Sequence, residues 1–338
     1  MFAQEIGIDL GSANTVVVAK RKGIIAREPS VVAVNRNTQA VVAVGSEAHR
    51  MIGRTPDTIM SAHPVRGGVI SDMEQSTALL RHVMRKIAGS RWLRPRVIMT
   101  MQTSASELER HALAEAAIQA GAGEVLMVEE TVAAGLGAGL PVDRPIGSML
   151  VDIGSGTTDV AVISLGSVVV SASASVAGDH LDEVVARFIK REFSLLIGTP
   201  TAERVKIEVG AALPGRSATT LIVGRHTTTG NPCQVRVDAT GVYEAMADSL
   251  AQIDLAVQSV LERTPPELMA DISRYGITLT GGGTLMPGMA DRLSQMTGLT
   301  VRLAESPQES VAIGTAEVLE HPDRIHLYRV KPARRGKK

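Results

Sequence analysis

Ile8-Asp9-Leu10-Gly11-Ser12-Ala13-Asn14-Thr15-Val16-Val17 returns later in the chain as Val151-Asp152-Ile153-Gly154-Ser155-Gly156-Thr157-Thr158-Asp159-Val160. Asp, Gly, Ser, Thr and Val hold register between the copies, 143 positions apart. Each copy reads as a strand, a tight turn and a second strand. Ile6, Ile8 and Leu10 alternate with Gly7 and Asp9, Gly11 breaks the run, and Thr15 to Ala19 is rich in β-branched residues. Small residues at the turn let backbone N–H groups approach an anion closely. Asp9 and Asp152 would repel phosphate directly, so they make sense if a hard cation such as magnesium lies between carboxylate and phosphate. One such turn alone would be an ordinary Asp-Gly-Ser turn. Five matched positions in two hairpins argue for a pair of phosphate loops.

A third glycine cluster follows a short strand. Tyr275-Gly276-Ile277-Thr278-Leu279-Thr280 runs into Gly281-Gly282-Gly283-Thr284-Leu285-Met286-Pro287-Gly288, and the helical pattern Met289, Leu293, Met296 comes next. Successive glycines leave no side-chain wall, so a base or ribose could lie against the backbone. A flexible linker would have the same composition, but a position between strand and helix argues against one.

Together these residues resemble the phosphate-one, phosphate-two and adenosine motifs of the actin-like ATPase superfamily, and within it the MreB/Mbl family of bacterial actins. Further stretches are similar: Glu28-Pro29-Ser30-Val31-Val32-Ala33, Gly53-Arg54-Thr55-Pro56, Gly137-Ala138-Gly139-Leu140-Pro141, Thr201-Ala202-Glu203-Arg204-Val205-Lys206-Ile207-Glu208 and Pro265-Pro266-Glu267-Leu268. The resemblance implies an α/β protein of actin-like fold: two duplicated ribonuclease-H-like domains around a nucleotide cleft, each with a small inserted subdomain. Domain I would cover residues 1–145 with subdomain IB at about 32–75. Domain II would cover 146–338, with subdomain IIB at about 181–246 and a basic tail at 329–338.

The resemblance also implies site roles. ATP with Mg2+ would be held by Ser12, Ala13 and Asn14 in the first loop and Gly154, Ser155, Gly156 and Thr157 in the second, with Asp9 and Asp152 serving the metal. Glu203, Arg204, Val205 and Lys206 would border the adenosine pocket together with Gly281, Gly282, Gly283 and Thr284. Glu203 and Lys206, three apart on a helix, would otherwise read as a surface ion pair. Glu130 would orient the water that attacks the γ-phosphate, because phosphoryl transfer needs positioning and charge neutralisation more than covalent chemistry. The plainer reading of Glu129-Glu130 is favourable charge at a helix N-terminus. Thr157 would support the same water. Asn14 stands where conventional actins have a lysine, which implies slow turnover. Ser155, Asp159, Thr131 and Met101-Gln102 depart from the family pattern. Ser155 is expected to crowd the phosphate loop, and Thr131, where proline is usual, to loosen the helix start.

Bulk properties set outer limits. The chain has 338 residues, 44% hydrophobic and 21% charged, which is enough for two cores. Zero net charge gives no reason to expect a nucleic-acid partner. Cys233, the single cysteine, fits a reducing compartment and an inert role. Met1-Phe2-Ala3-Gln4-Glu5 has no leader character, and no apolar run reaches the roughly 18 residues of a spanning helix. A cytoplasmic location is therefore expected.

Elsewhere the pattern alternates strands and helices. Helices are expected over Ser76 to Ile87, from the capping box Ser106-Glu107-Leu108-Glu109 to Gly121, over Thr131 to Leu140, and near Leu181 to Leu196, Pro200 to Ala211 and Val242 to Leu261. Arg91-Trp92-Leu93-Arg94-Pro95-Arg96 sets the only tryptophan in an expected turn between arginines. Trp favours a lipid interface and Arg favours anionic headgroups, so Trp92 and Leu93 are candidate membrane residues. A Trp folded back onto the domain is the alternative. The tail Arg329 to Lys338 is basic, lacks periodicity and is expected to be disordered.

The function implied is a cytoskeletal ATPase. It would form filaments of paired protofilaments on the inner face of the cytoplasmic membrane, with membrane proteins of the wall-elongation machinery as partners. Slow ATP hydrolysis would be coupled to polymerisation. A small-metabolite kinase or a chaperone-type ATPase of the same superfamily is the alternative. The first lacks a second acid placed like Glu130, and the second would need a further domain after Gly314.

Overall fold

In the computed structural model, which describes residues 4–87 and 94–330, the alternating run at Ile6 and Ile8 becomes β1 (Glu5–Leu10). Its hairpin partner is β2 (Asn14–Ala19), and β3 (Gly23–Pro29) continues the meander. Then come β4 (Val32–Asn35), β5 (Val41–Val44), α1 (Ser46–Met51), β6 (Ile59–Ala62), β7 (Val65–Arg66) and β8 (Val69–Ile70). The alternation α2 (Met73–Ile87), β9 (Arg96–Met101), α3 (Glu107–Ala120), β10 (Glu124–Glu129), α4 (Glu130–Gly137) follows. The second meander is β11 (Ser148–Ile153), β12 (Thr158–Ser164) and β13 (Ser167–Ala174). After it run α5 (Gly178–Phe193), β14 (Leu195–Leu196), α6 (Thr199–Val209), β15 (Thr219–His226), β16 (Pro232–Asp238) and α7 (Ala239–Arg263). The chain continues through α8 (Pro266–Tyr275), β17 (Ile277–Thr280), α9 (Met289–Thr297), β18 (Val301–Leu303), α10 (Ser310–Glu320) and β19 (Tyr328–Val330).

The duplication heard in the loops extends to whole sheets. One sheet has the order β19-β10-β9-β1-β2-β3, the other β13-β12-β11-β17-β18. In both, a meander hairpin adjoins two parallel strands reached through helices: β1 with β9 and β10, and β11 with β17 and β18. Strand β11 begins and ends 143 residues after β1, the same offset as the motifs. The chain forms two compact units. Unit 1 holds the residues up to Ser148, Val162–Val169 and those from Gln308 onward, and unit 2 holds Met149–Ala161 and Val170–Pro307. Residues from Gln308 onward therefore group with the first half of the sequence. The reason is close packing in unit 1. A Cβ on Gly314 of α10 would lie 1.7 Å from the Ala133 oxygen of α4, and one on Gly7 of β1 would lie 2.4 Å from Thr315 Cγ2. Only glycine leaves room for approaches this close.

The core of unit 1 lies where Leu79, Leu80 and Val83 of α2 meet Ile8, Val97, Met99 and Met127 of the sheet. Their 3.6-residue spacing on α2 gives one buried stripe. Helix α2 starts at Met73 rather than Ser76, because the Asp72 carboxylate accepts from the Gln75 N–H at 2.9 Å and caps the first turn. The capping box of α3 forms in full, with Ser106 accepting from the Glu109 N–H and Glu109 accepting from the Ser106 N–H, and Gly121 ends the helix. Such a cap contributes about 1 kcal/mol.

Two further expectations change. Tyr275 closes α8 instead of opening a strand, since Gly276 turns the chain at φ 79° and β17 starts at Ile277. The tail is not aperiodic from its start either, because Arg329 and Val330 complete β19, which pairs with Leu126 and Val125 of β10. An edge strand satisfies backbone groups that a free tail would leave to water. Trp92, Leu93 and residues 331–338 lie outside the described residues.

Candidate functional site

The two motif turns close with the same hydrogen bond. The Gly11 N–H donates to the Asn14 carbonyl at 3.1 Å, and the Gly154 N–H donates to the Thr157 carbonyl at 2.9 Å. Both turns lie at the end of a central strand and keep Gly where the chain bends most tightly. A Cβ on Gly11 would sit 2.8 Å from the Asn14 oxygen.

In unit 1 the first turn is braced from behind. Thr15 and Ser30 share a buried hydroxyl hydrogen bond at 2.8 Å, and the Ser30 N–H donates to the Ala13 carbonyl at 2.8 Å. Ser12 is buried and its Oγ accepts from the Gly68 N–H at 3.4 Å, whereas Ala13 and Asn14 are exposed. Asp9 is half-buried and accepts from Thr100 Oγ1 at 3.0 Å. Burial pushes its carboxyl up to about 6 in spite of that hydrogen bond. Glu130 opens α4, half-buried. It shares a cavity of about 20 Å³ with Leu10, Gly68, Thr100 and Gln102, roughly the room one water needs. Its neighbour Glu129 accepts from the Tyr328 hydroxyl at 3.2 Å, so the C-terminal strand supports the entry to α4.

In unit 2 the second turn is gripped by helix α5. The N–H groups of Gly178 and Asp179 donate to the carbonyls of Gly154 and Ser155 at 3.1 and 2.8 Å. Thr157 hydrogen-bonds Asp159, a buried carboxyl raised above its ordinary range by that burial. Asp152, buried, is the next-to-last residue of β11 and lies opposite Thr280 of β17. Gly281 and Gly283 pack against this strand end: a Cβ on Gly281 would lie 2.3 Å from both Asp152 Oδ1 and the Ile153 oxygen, and one on Gly283 would lie 2.4 Å from Ile153 Cγ2. Thr284 caps its own turn by donating to the Gly281 carbonyl at 2.6 Å. Of the three glycines, Gly282 is the exposed one.

Helix α6 divides its four candidate residues. Val205 is fully buried, and Arg204 pairs with Glu208 at 3.0 Å. Glu203 is exposed. Lys206 is 2.8 Å from the Asp182 carboxylate and donates to the Gly178 carbonyl at 2.9 Å. Burial pushes Asp182 up to about 6, opposed by Lys206. The spacing-based pair of Glu203 with Lys206 is thus replaced by a pair across two helices, which puts Lys206 beside the second turn.

The profile of the family described as MreB/Mbl protein matches residues 3–327. The chain belongs to the MreB/Mbl family. It is 45% identical over 327 residues to the cell shape-determining protein Mbl of Bacillus cereus, covering 96% of this chain and 98% of that one. MreB 5 of Spiroplasma citri, solved bound to AMPPNP, superposes with a TM-score of 0.89 at 35% identity over 94% of this chain and 96% of that one. The chain of the MamK double helical filament, 22% identical, shares the fold with a TM-score of 0.79 over 95% and 99% of the two chains. The fold is actin-like.

Within this MreB/Mbl chain, several supports escaped sequence reading. Gly178 and Asp179 touch the second turn from 24 residues downstream, with no local pattern to announce it. Gln102 is buried, and a Cβ on Gly68, at φ 73°, would strike its side-chain nitrogen at 2.1 Å, so the glycine leaves the room that the Gln102 side chain fills. Thr131 does not loosen α4, because its buried hydroxyl bonds Thr103 at 3.0 Å. The Gly-Gly-Gly run is not an open wall throughout, because Gly281 and Gly283 serve contact with β11. Among the described residues no cluster of three or more His, Cys, Asp or Glu side chains could hold a metal. Asp9 still fits magnesium, which takes one or two carboxylates and fills its shell with water and phosphate oxygens. A divalent charge there would offset the burial that raises this carboxyl.

Proposed function

We propose that this chain is an ATP-dependent, filament-forming bacterial actin that determines cell shape from the inner face of the cell membrane. The observation that supports it most is the repeated turn, with the Gly11 to Asn14 and Gly154 to Thr157 hydrogen bonds presenting small-residue backbone to an anion at two strand ends. The AMPPNP bound to a relative of the same fold agrees with a triphosphate as the anion. Ser12, Ala13, Asn14, Gly154, Ser155, Gly156 and Thr157 would bind phosphate. Glu203, Lys206 and Gly282 would meet the nucleoside. Asp9 and Asp152 would hold Mg2+, which supplies charge neutralisation on the phosphates. Glu130, beside a cavity of water size, orients and polarises the attacking water. With Asn14 in place of a cation, turnover is slow, which suits a nucleotide clock on a polymer better than metabolic catalysis.

Self-assembly is supported by the filament formed by a protein of this fold. No helix among the described residues is long and apolar enough to cross a membrane. Attachment would therefore use Trp92 and Leu93, repeated along the filament so that weak anchors act together. Partners would be a second copy of the chain and membrane proteins of the wall-elongation machinery. The test is titration of a fluorescent ATP analogue with Mg2+ and with EDTA. Binding that requires the metal and weakens in Asp9→Asn supports the assignment; metal-independent binding, unchanged in that variant, overturns the role of Asp9.

A further inference from the structure

Helix α2 carries Arg81, His82, Arg85 and Lys86 within little more than one turn, and the same face borders β5. Between them lies an open groove of about 440 Å³, floored by Val41 and Val44 and walled by these four side chains. Like charges four residues apart repel on a helix, as Arg81 with Arg85. A dipole argument covers only Arg85 and Lys86, the basic residues of the last turn. Arg81, a full turn earlier, lies outside its reach.

The partners of the four are unequal. Lys86 forms an ion pair with Glu28, which also accepts from the Ser46 N–H and hydroxyl at 2.9 Å. Arg81 gives one donor to the Gln119 carbonyl at 3.3 Å, leaving four of its five N–H groups. Arg85 is exposed, and no described residue pairs with it. The Nε2 atom of His82 is buried without a hydrogen-bond partner. A buried polar atom left unpaired is destabilising, and His82 belongs to a groove whose other charged side chains are all cationic. The only carboxylate among these contacts, Glu28, is already paired and bonded.

We propose that the groove between α2 and β5 binds a phosphate-bearing anion, with Arg81 and Arg85 as the charged ligands. Two guanidinium groups offer planar donors matched to phosphate oxygens, and the apolar floor of Val41 and Val44 takes the carbon attached to the phosphate. The phosphate can come from an acidic lipid headgroup or from solution. The site is independent of Trp92 and Leu93 and of the nucleotide residues.

The test uses the full chain and the pair Arg81→Gln, Arg85→Gln. A control of equal charge change is Arg225→Gln, Arg236→Gln on β15 and β16, both exposed. Sedimentation with vesicles of phosphatidylcholine containing phosphatidylglycerol is compared with phosphatidylcholine alone. Inorganic phosphate is titrated in parallel at constant ionic strength, read by the rise in Tm. If the source is lipid, the groove pair lowers partition onto the acidic vesicles by about 30-fold, the loss of two basic contacts at an anionic surface, and the control changes it less than threefold. If the source is soluble phosphate, the groove pair abolishes the phosphate-dependent rise in Tm with the control unchanged. Arg81→Lys, Arg85→Lys keeps the charge, loses the planar fork and falls between. Equal losses in the groove pair and the control, or no loss in either assay, overturn the site. A Trp92→Ser, Leu93→Ser variant on the same vesicles reports the loop separately, since it leaves the phosphate titration unaltered.

Discussion

Lys206 lies 2.8 Å from the Asp182 carboxylate, and the same ammonium donates to the Gly178 carbonyl at 2.9 Å, tying α6 to the first turn of α5. Through Gly178 and Asp179 that turn in turn holds the carbonyls of Gly154 and Ser155. The proposed nucleoside role of Lys206 would share one atom with this structural one. Lys206→Ala leaves a buried carboxylate unpaired and should lower stability by about 3 kcal/mol. Adding Asp182→Asn should restore most of that loss in chemical denaturation. If Lys206 also binds the nucleoside, the double variant stays folded but binds ATP at least tenfold more weakly; wild-type affinity in the double variant would leave Lys206 a purely structural residue.

The same pair gives stability a pH signature. Burial raises Asp182 to about 6 from an ordinary 3.8, so between these values the folded state holds more protons than the unfolded one. Stability contributed by this group therefore rises as pH falls from 7 through 6. The wild type should gain about 1 kcal/mol more than Asp182→Asn between pH 7 and pH 5. Urea midpoints at the two pH values measure it, and equal gains would show that Asp182 titrates normally.

Asp9 combines a half-buried charge with a proposed metal role, and the two predict opposite effects for one substitution. Asp9→Asn keeps an acceptor for Thr100 and removes a carboxyl raised to about 6. The nucleotide-free protein should become more stable by about 1 kcal/mol. Stabilisation by ATP with Mg2+ should disappear. Differential scanning calorimetry with and without the ligand reads both, and a variant that is less stable without nucleotide would contradict the burial argument.

The glycine run separates packing from binding. Gly281→Ala places a Cβ 2.3 Å from Asp152 Oδ1 at a φ of 85° and should destabilise by more than about 2 kcal/mol. Gly282→Ala, at the exposed position, should change stability by less than about 0.5 kcal/mol. If the nucleoside lies against Gly282, its ATP affinity falls all the same; unchanged affinity would remove this residue from the site.

Glu130→Ala should slow ATP hydrolysis by at least about 100-fold with binding retained. Phosphate release measured beside analogue binding makes the distinction. An unaltered rate would return Glu130 to the plainer reading of a favourable charge at a helix start.

Periodic and repeated features were legible in the sequence because their causes are local. The twin turns, the capping box at Ser106, the buried stripe of α2 and the small-residue helix α4 each follow from spacing or residue size. What escaped depends on contacts between distant segments. Lys206 meets Asp182 instead of Glu203 because α5 packs on α6, which helical spacing cannot report. Gly281 and Gly283 serve the end of β11, and Gly7 and Gly314 serve helix α10, where only the assembled fold reveals which backbone comes near. Asp72 shifts the start of α2 by a single cap, a common margin for helix ends.

Electron microscopy of the full chain with ATP and Mg2+ on acidic lipid vesicles bears most directly on the proposed function. Filaments lying on the membrane with ATP, and absent when nucleotide is withheld, are the expected result. Dispersed monomers under every nucleotide and lipid condition would contradict it.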